Sequence, residues 1–143
     1  MNLEAKIDWQ QGLAFRAYLD GFDFTIDGTP EAGGMNLGPR PKGLTLVSLI
    51  GCTAMDVISI LGKMKVQVEN FSVGAEALLA DEHPKKFLEI KVTYRFNGAG
   101  ITAEPLRKAI ALSEEKYCGV RATLSPTVTI NHEIVLNGEN IPN

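Results

Sequence analysis

The sequence has few of the residues on which disulfide scaffolds, zinc sites and nucleic-acid surfaces depend. It has two cysteines and two histidines in 143 residues, and it contains no Cys-x-x-Cys pair. Two cysteines are too few for a disulfide framework, and a zinc site made only of cysteine and histidine would need all four residues. The 14 basic residues do not outnumber the 17 acidic ones, so there is no basic surplus to neutralise phosphates. We therefore expect neither a nucleic-acid partner nor a metal.

The chain also lacks the features of an exported or membrane protein. Its N-terminus has no basic segment followed by an apolar stretch, so we expect no secretory signal. The longest apolar zone, residues 43–64, is interrupted by Asp56 and Lys63, and we expect it not to cross a membrane. The composition, 45% hydrophobic and 22% charged, is that of a globular chain with enough apolar material for a core. We expect a cytoplasmic protein, in which thiols stay reduced unless they do redox chemistry.

Hydrophobic periodicity predicts an α+β chain in the order βββ-α-ββ-α-β. Its length favours a single domain, 1–143. The predicted parts are a three-stranded N-terminal sheet in residues 1–28, a Gly- and Pro-rich loop over 28–41, a cysteine helix over 43–64, and a C-terminal α+β part over 65–136. Within that last part we predict strands at 66–73, 87–96 and 127–135 and a helix at 104–117, and we predict a polar tail over 136–143.

The cysteine helix is apolar on more than one face, so we expect it to be buried on most sides. A single small chain has little material with which to cover such a helix. The sequence therefore favours an obligate dimer.

Cys52 is the residue that says most about chemistry. It lies in the predicted helix among small neighbours that leave room beside its sulfur, and Asp56 follows one turn later on the same face. Cys118 follows Cys52 by 66 positions, at the end of the second predicted helix. If the helices pack side by side, one thiolate could attack an electrophilic oxygen or sulfur, and the other thiol could resolve the resulting sulfenic acid. The alternative stays open, because a cysteine on an apolar helix is more often a small buried side chain.

Other side chains offer weaker signals. A reactive thiolate needs a nearby cation, and Arg16, in an apolar strand, is either that cation or an edge residue. Arg121 is a second possible cation, although we expect it at the surface. We expect His83 to be solvated in a turn. His132 falls on the apolar alternation of the last strand, so we expect a hydrogen-bonded core or interface histidine.

Two segments resemble the OsmC/Ohr family of osmotically inducible and organic hydroperoxide resistance proteins. They are GGMNLGPRPKGLTLVSLIGCTAMDVISILGKM and EEKYCGVRATLS, and the resemblance extends over essentially the whole chain. It implies an OsmC-like fold, with antiparallel sheets wrapped round a buried central helix in an intertwined homodimer whose active sites lie at the subunit interface. It further implies a thiol-dependent peroxidase for organic hydroperoxides, with Cys52 as the peroxidatic and Cys118 as the resolving cysteine. No metal or organic cofactor is implied, and an external dithiol or lipoylated protein would be the reductant.

The sequence departs from the family pattern before the cysteine helix. Family members use an N-terminal arginine, for which Arg16 is the best match, and the peroxidase branches hold it with the glutamate of a Pro-Glu pair. Here the pair is Pro41-Lys42, and lysine cannot accept a hydrogen bond from a guanidinium. Glu31 or Asp56 could take that role, or the clamp is absent, and Lys42 could itself favour a thiolate.

The Cys-x-x-x-Asp-Val form of the motif resembles a branch of the family whose peroxidase activity is less well established. Because the Pro-Glu pair is missing, one alternative is a non-catalytic or sensing dimer that binds a hydrophobic ligand at an interface pocket. Another is a different cysteine chemistry, such as thiol transfer or acyl hydrolysis.

Overall fold

The computed structural model describes all of residues 1–143. The chain forms two compact units, residues 1–45 and 46–143. The long helix α1 (Pro41–Lys63) begins in the first unit and continues in the second.

The first unit is a three-stranded antiparallel sheet followed by a loop. Its strands are β1 (Lys6–Gln11), β2 (Ala14–Leu19) and β3 (Phe22–Ile26), in that spatial order. Asp20 and Gly21 both have positive φ, 55° and 82°, as a two-residue hairpin turn requires. The predicted three-stranded sheet within residues 1–28 is confirmed.

The loop after β3 is organised around a buried carboxylate. Asp27 accepts hydrogen bonds from the backbone N–H groups of Gly28, Met35 and Leu37, at 2.7, 3.1 and 3.2 Å. Burial acts to raise the pKa of Asp27, but these donors and the charge of Arg40 outweigh it and lower the pKa. The segment predicted as an open loop therefore has a fixed path, which includes one turn of 3₁₀ helix at Pro30–Ala32.

The second unit contains a four-stranded sheet made of β4 (Asn70–Leu79), β5 (Phe87–Asn97), β6 (Thr129–Leu136) and β7 (Glu139–Ile141), in that order. The expectation of purely antiparallel sheets is wrong, because β5 and β6 pair in parallel. The helical segment between them carries the chain back to the end of the sheet at which β5 begins, as parallel pairing requires. The predicted polar tail also contains a strand, since β7 pairs with β6 through a turn at Asn137-Gly138.

The predicted second helix is interrupted. Helix α2 (Ala103–Leu112) continues into a wider π-helical turn, Ser113–Tyr117, and the short helix α3 (Gly119–Leu124) follows. Cys118 stands between the last two, as the N-cap residue of α3. It therefore lies at a break in the helix, where its backbone is extended.

The core lies between the sheet and the helices. Strand β5 turns one face inward, with Ile90, Val92, Tyr94 and Phe96 all fully buried, as its alternation predicts. From α1 the core receives a stripe with one-turn spacing, Leu49, Thr53, Val57 and Leu61. From α2 it receives Leu106, Ala109 and Ile110.

Helix α1 has cover on one side only. Val47, Met55 and Ile58 are exposed, so the expectation of burial on most sides is not met within this chain. By length and composition alone α1 is also apolar enough to cross a membrane, a criterion that the core helix of a soluble protein meets as well.

Candidate functional site

The second unit brings three of the candidate residues together. The Sγ atoms of Cys52 and Cys118 and a carboxylate oxygen of Asp56 all lie within 4.8 Å of one another. Both thiols are free. Cys52 lies on α1 directly before the buried residue Thr53, and Asp56 lies one helical turn after Cys52. The site therefore has two reduced sulfurs and one carboxylate.

The two thiols differ in environment. Cys52 is half-buried, whereas Cys118 is only 3% exposed. Burial raises the pKa of Cys118 to about 11, and the neighbouring Cys52 and Asp56 act in the same direction. The backbone N–H of Arg121, 3.4 Å from the Cys118 sulfur, opposes this rise. At neutral pH Cys118 is thus a protonated thiol, and Cys52 is the sulfur that a reactant can reach.

A chain of buried hydroxyl groups leads away from Asp56. The hydroxyl of Ser113 donates to the Asp56 carboxylate at 2.9 Å and lies 2.9 Å from the Thr53 hydroxyl. The Thr53 hydroxyl lies in turn 2.9 Å from that of Tyr94. Burial is the main reason that the pKa of Tyr94 is raised well above its ordinary value.

Glu114 ends this chain of hydroxyl groups in a cluster of ionisable side chains. It accepts a hydrogen bond from the Tyr94 hydroxyl at 3.3 Å, and its Oε1 lies 2.9 Å from His132 Nδ1 and 3.5 Å from Arg121 Nη1. The prediction for His132 is confirmed. The expectation of a surface Arg121 is wrong, because its side chain is largely buried, as is that of Glu114. The π-helical turn changes the direction in which the side chains after Leu112 point, so regular α-helical spacing gives the wrong face for them.

Arg16, Glu31 and Lys42 lie in the stretch of residues 1–45. The Arg16 guanidinium is paired with the Asp23 carboxylate and donates to the Thr25 hydroxyl at 2.9 Å. The carboxylate that holds Arg16 is therefore Asp23, a residue that the sequence did not single out. Glu31 and Lys42 are exposed. The contribution of these three residues to the cysteine site stays a prediction.

An open cleft borders the site on the side of Asp56. Its volume is about 310 Å³, and it is lined by Asp56, Ser59, Ile60, Lys63, Leu112 and Tyr117. The lining joins apolar side chains to one carboxylate and one ammonium group. Such a cleft suits a small molecule with an apolar body and a polar end.

The cluster of Cys52, Asp56 and Cys118 also offers the atom types that bind zinc. These three residues are one ligand fewer than a structural zinc site uses.

Comparison with known proteins agrees with this architecture. Residues 33–133 match the model of a family described as OsmC-like protein. The chain is 30% identical over 131 residues to Protein YhfA of Escherichia coli strain K12, an alignment that covers 91% of this chain and 95% of that protein.

Two solved structures extend the comparison. A hypothetical protein from Aquifex aeolicus VF5 shares 27% identity with a TM-score of 0.80, covering 96% of this chain and 98% of that one. An organic hydroperoxide resistance protein from Elizabethkingia anophelis has the same fold at 15% identity, with a TM-score of 0.72 and coverage of 96% and 97%. The fold is that of a soluble protein, and the family model covers well over half of the sequence. The chain belongs to the OsmC-like protein family.

Proposed function

We propose that this protein has a stress-related redox role and acts as a thiol-dependent peroxidase that reduces organic hydroperoxides. The thiolate of Cys52 attacks the terminal peroxide oxygen, so that an S–O bond forms, the O–O bond breaks, and the alkoxide leaves and takes a proton. Cys52 is then a sulfenic acid. The sulfur of Cys118 attacks the Cys52 sulfur, water leaves, and a disulfide joins the two residues.

The observation that carries the proposal is the proximity of two reduced sulfurs in unequal surroundings. The sulfurs lie within 4.8 Å of each other, so small side-chain movements bring them to the roughly 2.05 Å of a disulfide. The more exposed thiol is placed to meet substrate. The buried one stays protonated until a sulfenic acid forms beside it, which suits a resolving cysteine.

The cleft next to Asp56 supports an organic substrate. Ile60, Leu112 and Tyr117 offer apolar surface to an alkyl or aryl group, which hydrogen peroxide lacks. We infer that cumene or tert-butyl hydroperoxide reacts faster than hydrogen peroxide, and the name of the Elizabethkingia neighbour points to the same substrate class.

The proposed function also involves a second copy of the chain, residues that support the Cys52 thiolate, and an external reductant. A homodimer would cover the exposed apolar face of α1, where Val47, Met55 and Ile58 lie. Arg16 is the proposed cation for the Cys52 thiolate, with Glu31, Asp56 and Lys42 in supporting roles. A dithiol or lipoylated protein of the cytoplasm would reduce the disulfide, without a metal or bound cofactor.

The test is a steady-state assay with cumene hydroperoxide and a dithiol such as dihydrolipoamide. Wild type is expected to consume peroxide catalytically, while Cys52→Ser is inactive. In Cys118→Ser, Cys52 is expected to react once with peroxide and then stop, because no resolving thiol lies beside the Cys52 sulfenic acid. A Cys52→Ser variant that consumes peroxide as fast as wild type would exclude the proposal.

A sensing or binding dimer is the second candidate. It is favoured by Lys42, which stands where the peroxidase branches have a glutamate, and by the pairing of Arg16 with Asp23. In that case peroxide would produce no Cys52–Cys118 disulfide, and an apolar ligand would bind without being consumed.

A further inference from the structure

Five side chains form one continuous line of hydrogen-bonding oxygens through the core of the second unit. They are Asp56, Ser113, Thr53, Tyr94 and Glu114, and successive oxygens are separated by 2.9, 2.9, 2.9 and 3.3 Å. The three hydroxyl residues in the middle are each no more than 2% exposed. Water therefore does not reach the inner links, and the side chains must supply every hydrogen of this oxygen chain.

The oxygen chain is one hydrogen short. Each hydroxyl carries a single hydrogen and an ionised carboxylate carries none, so three hydrogens serve four links. Whichever way the hydroxyls point, one close contact between two oxygens lacks a hydrogen, which is unfavourable in a dry core. One more proton on either end carboxylate completes every link.

The end of the chain at Asp56 lies where a proton is released. Its carboxylate is within 4.8 Å of the Cys52 sulfur, a span that one water molecule from the neighbouring cleft can bridge. We propose that the oxygen chain takes up the proton that Cys52 loses on becoming a thiolate and returns it to the leaving oxygen of the substrate. This inference deepens the proposed peroxidase function and rests on it.

The proton balance of the step is complete. The S–H bond of Cys52 breaks and its proton moves to Asp56, which completes the oxygen chain. After the thiolate has attacked the peroxide and the O–O bond has broken, the alkoxide takes a proton from Asp56 and leaves as the alcohol. While the proton is stored, the carboxyl group beside the thiolate holds no negative charge, which favours the thiolate.

Other ionisable groups surround both ends of the oxygen chain. Asp56 faces Cys52 on its own helix and Cys118 from the π-helical turn and α3 junction, and Lys63 and Tyr117 line the same cleft. Glu114 faces Arg121 from α3 and His132 from β6. The Arg121 guanidinium balances the charge of the far carboxylate and His132 Nδ1 lies beside it, so the missing proton is needed at the Asp56 end.

Thr53→Val tests the proposal because it removes the middle hydroxyl without a large change in volume. In this variant the Ser113 hydroxyl donates to Asp56 and the Tyr94 hydroxyl donates to Glu114. Both remaining hydrogen bonds then have a hydrogen, and the oxygen chain no longer lacks a proton. The measurement is the rate at which iodoacetamide alkylates Cys52, followed by peptide mass spectrometry as pH rises. We expect the midpoint of this profile to rise by about one pH unit, with a roughly tenfold slower reaction below it.

Three further variants separate the proton store from a packing effect. Thr53→Ser keeps the hydroxyl and is expected to keep the wild-type midpoint. Tyr94→Phe also leaves two hydrogens for two links and is expected to raise the midpoint as Thr53→Val does. Thr93→Val is the matched control, since the Thr93 hydroxyl bonds to Glu133 outside the oxygen chain, and we expect no change.

A wild-type midpoint in Thr53→Val would overturn the proposal, and so would an equal shift in Thr53→Ser or Thr93→Val. Alkylation needs no peroxide, so the result is independent of the peroxidase assay. A wild type that alkylates as described but reduces no hydroperoxide would leave the proton store standing and remove the peroxidase function.

Discussion

Oxidation by one equivalent of an organic hydroperoxide should make the folded protein markedly more stable. The proposed disulfide joins Cys52 on α1 to Cys118 at the start of α3, two residues 66 positions apart. Closing a loop of that length removes entropy from the unfolded chain worth about 4 kcal/mol at 25 °C. The two sulfurs, which lie within 4.8 Å of each other, must move closer to form the bond. Any strain from this movement reduces the gain in the free energy of unfolding.

Urea unfolding measures this gain directly. With a urea dependence of about 2 kcal/mol per molar, the midpoint should rise by roughly 2 M when the reduced protein is oxidised, and a dithiol should reverse the rise. Cys118→Ser, treated with the same hydroperoxide, is the control and should show no such rise. If wild type forms the disulfide by mass yet its midpoint stays that of the reduced protein, the loop-closure reasoning is refuted.

Two further predictions follow from the same site. Ser113→Ala removes a fully buried hydrogen-bond donor to a carboxylate and should lower the free energy of unfolding by about 1.5–3 kcal/mol. The control is Ser125→Ala at an exposed position, which should change the free energy of unfolding by less than about 0.5 kcal/mol. Urea unfolding measures both changes. Because burial raises the pKa of Cys118 from 9.0 to about 11, its thiol form stabilises the fold fully below about pH 9, and this contribution is lost as pH rises to 11. The alkaline fall in stability should therefore be shallower in Cys118→Ala; identical slopes would contradict the assigned environment.

Local patterns predicted much of the fold. Alternation placed β2, β3 and β5, and it indicated the buried face of β5 apart from two residues: Leu88 on that face is exposed, and Thr93 on the other face is buried. Helical spacing predicted α1 to within two residues at its start. These elements are determined by which face of each segment is apolar, and that information is present in consecutive residues.

Strands whose bounds depend on pairing with segments distant in the sequence were harder to predict. Strand β4 begins at Asn70, four residues after the predicted start, because its bounds are set by pairing with β5. Strand β7 is short and polar, and it exists only because β6 offers it hydrogen bonds. The parallel pairing of β5 and β6 likewise follows from the tertiary path of the helical connection.

The reactive residues of the site could be predicted because their chemistry depends on the residue type alone. Cys52, Cys118 and Asp56 were identified by residue type and spacing, and the structure places them together. The hydroxyl residues were missed, although two signals were present. A tyrosine on a buried strand face must find a partner for its hydroxyl, and Ser113 continues the inward stripe of α2 three positions after Ile110.

The mass of the protein after one equivalent of cumene hydroperoxide tests the central claim most directly. Wild type is expected to lose two hydrogens, with the Cys52 and Cys118 peptides joined, whereas Cys118→Ser is expected to gain one oxygen on Cys52. A wild type whose mass is unchanged, or which gains oxygen without joining these two peptides, would contradict the peroxidatic and resolving roles of the two cysteines.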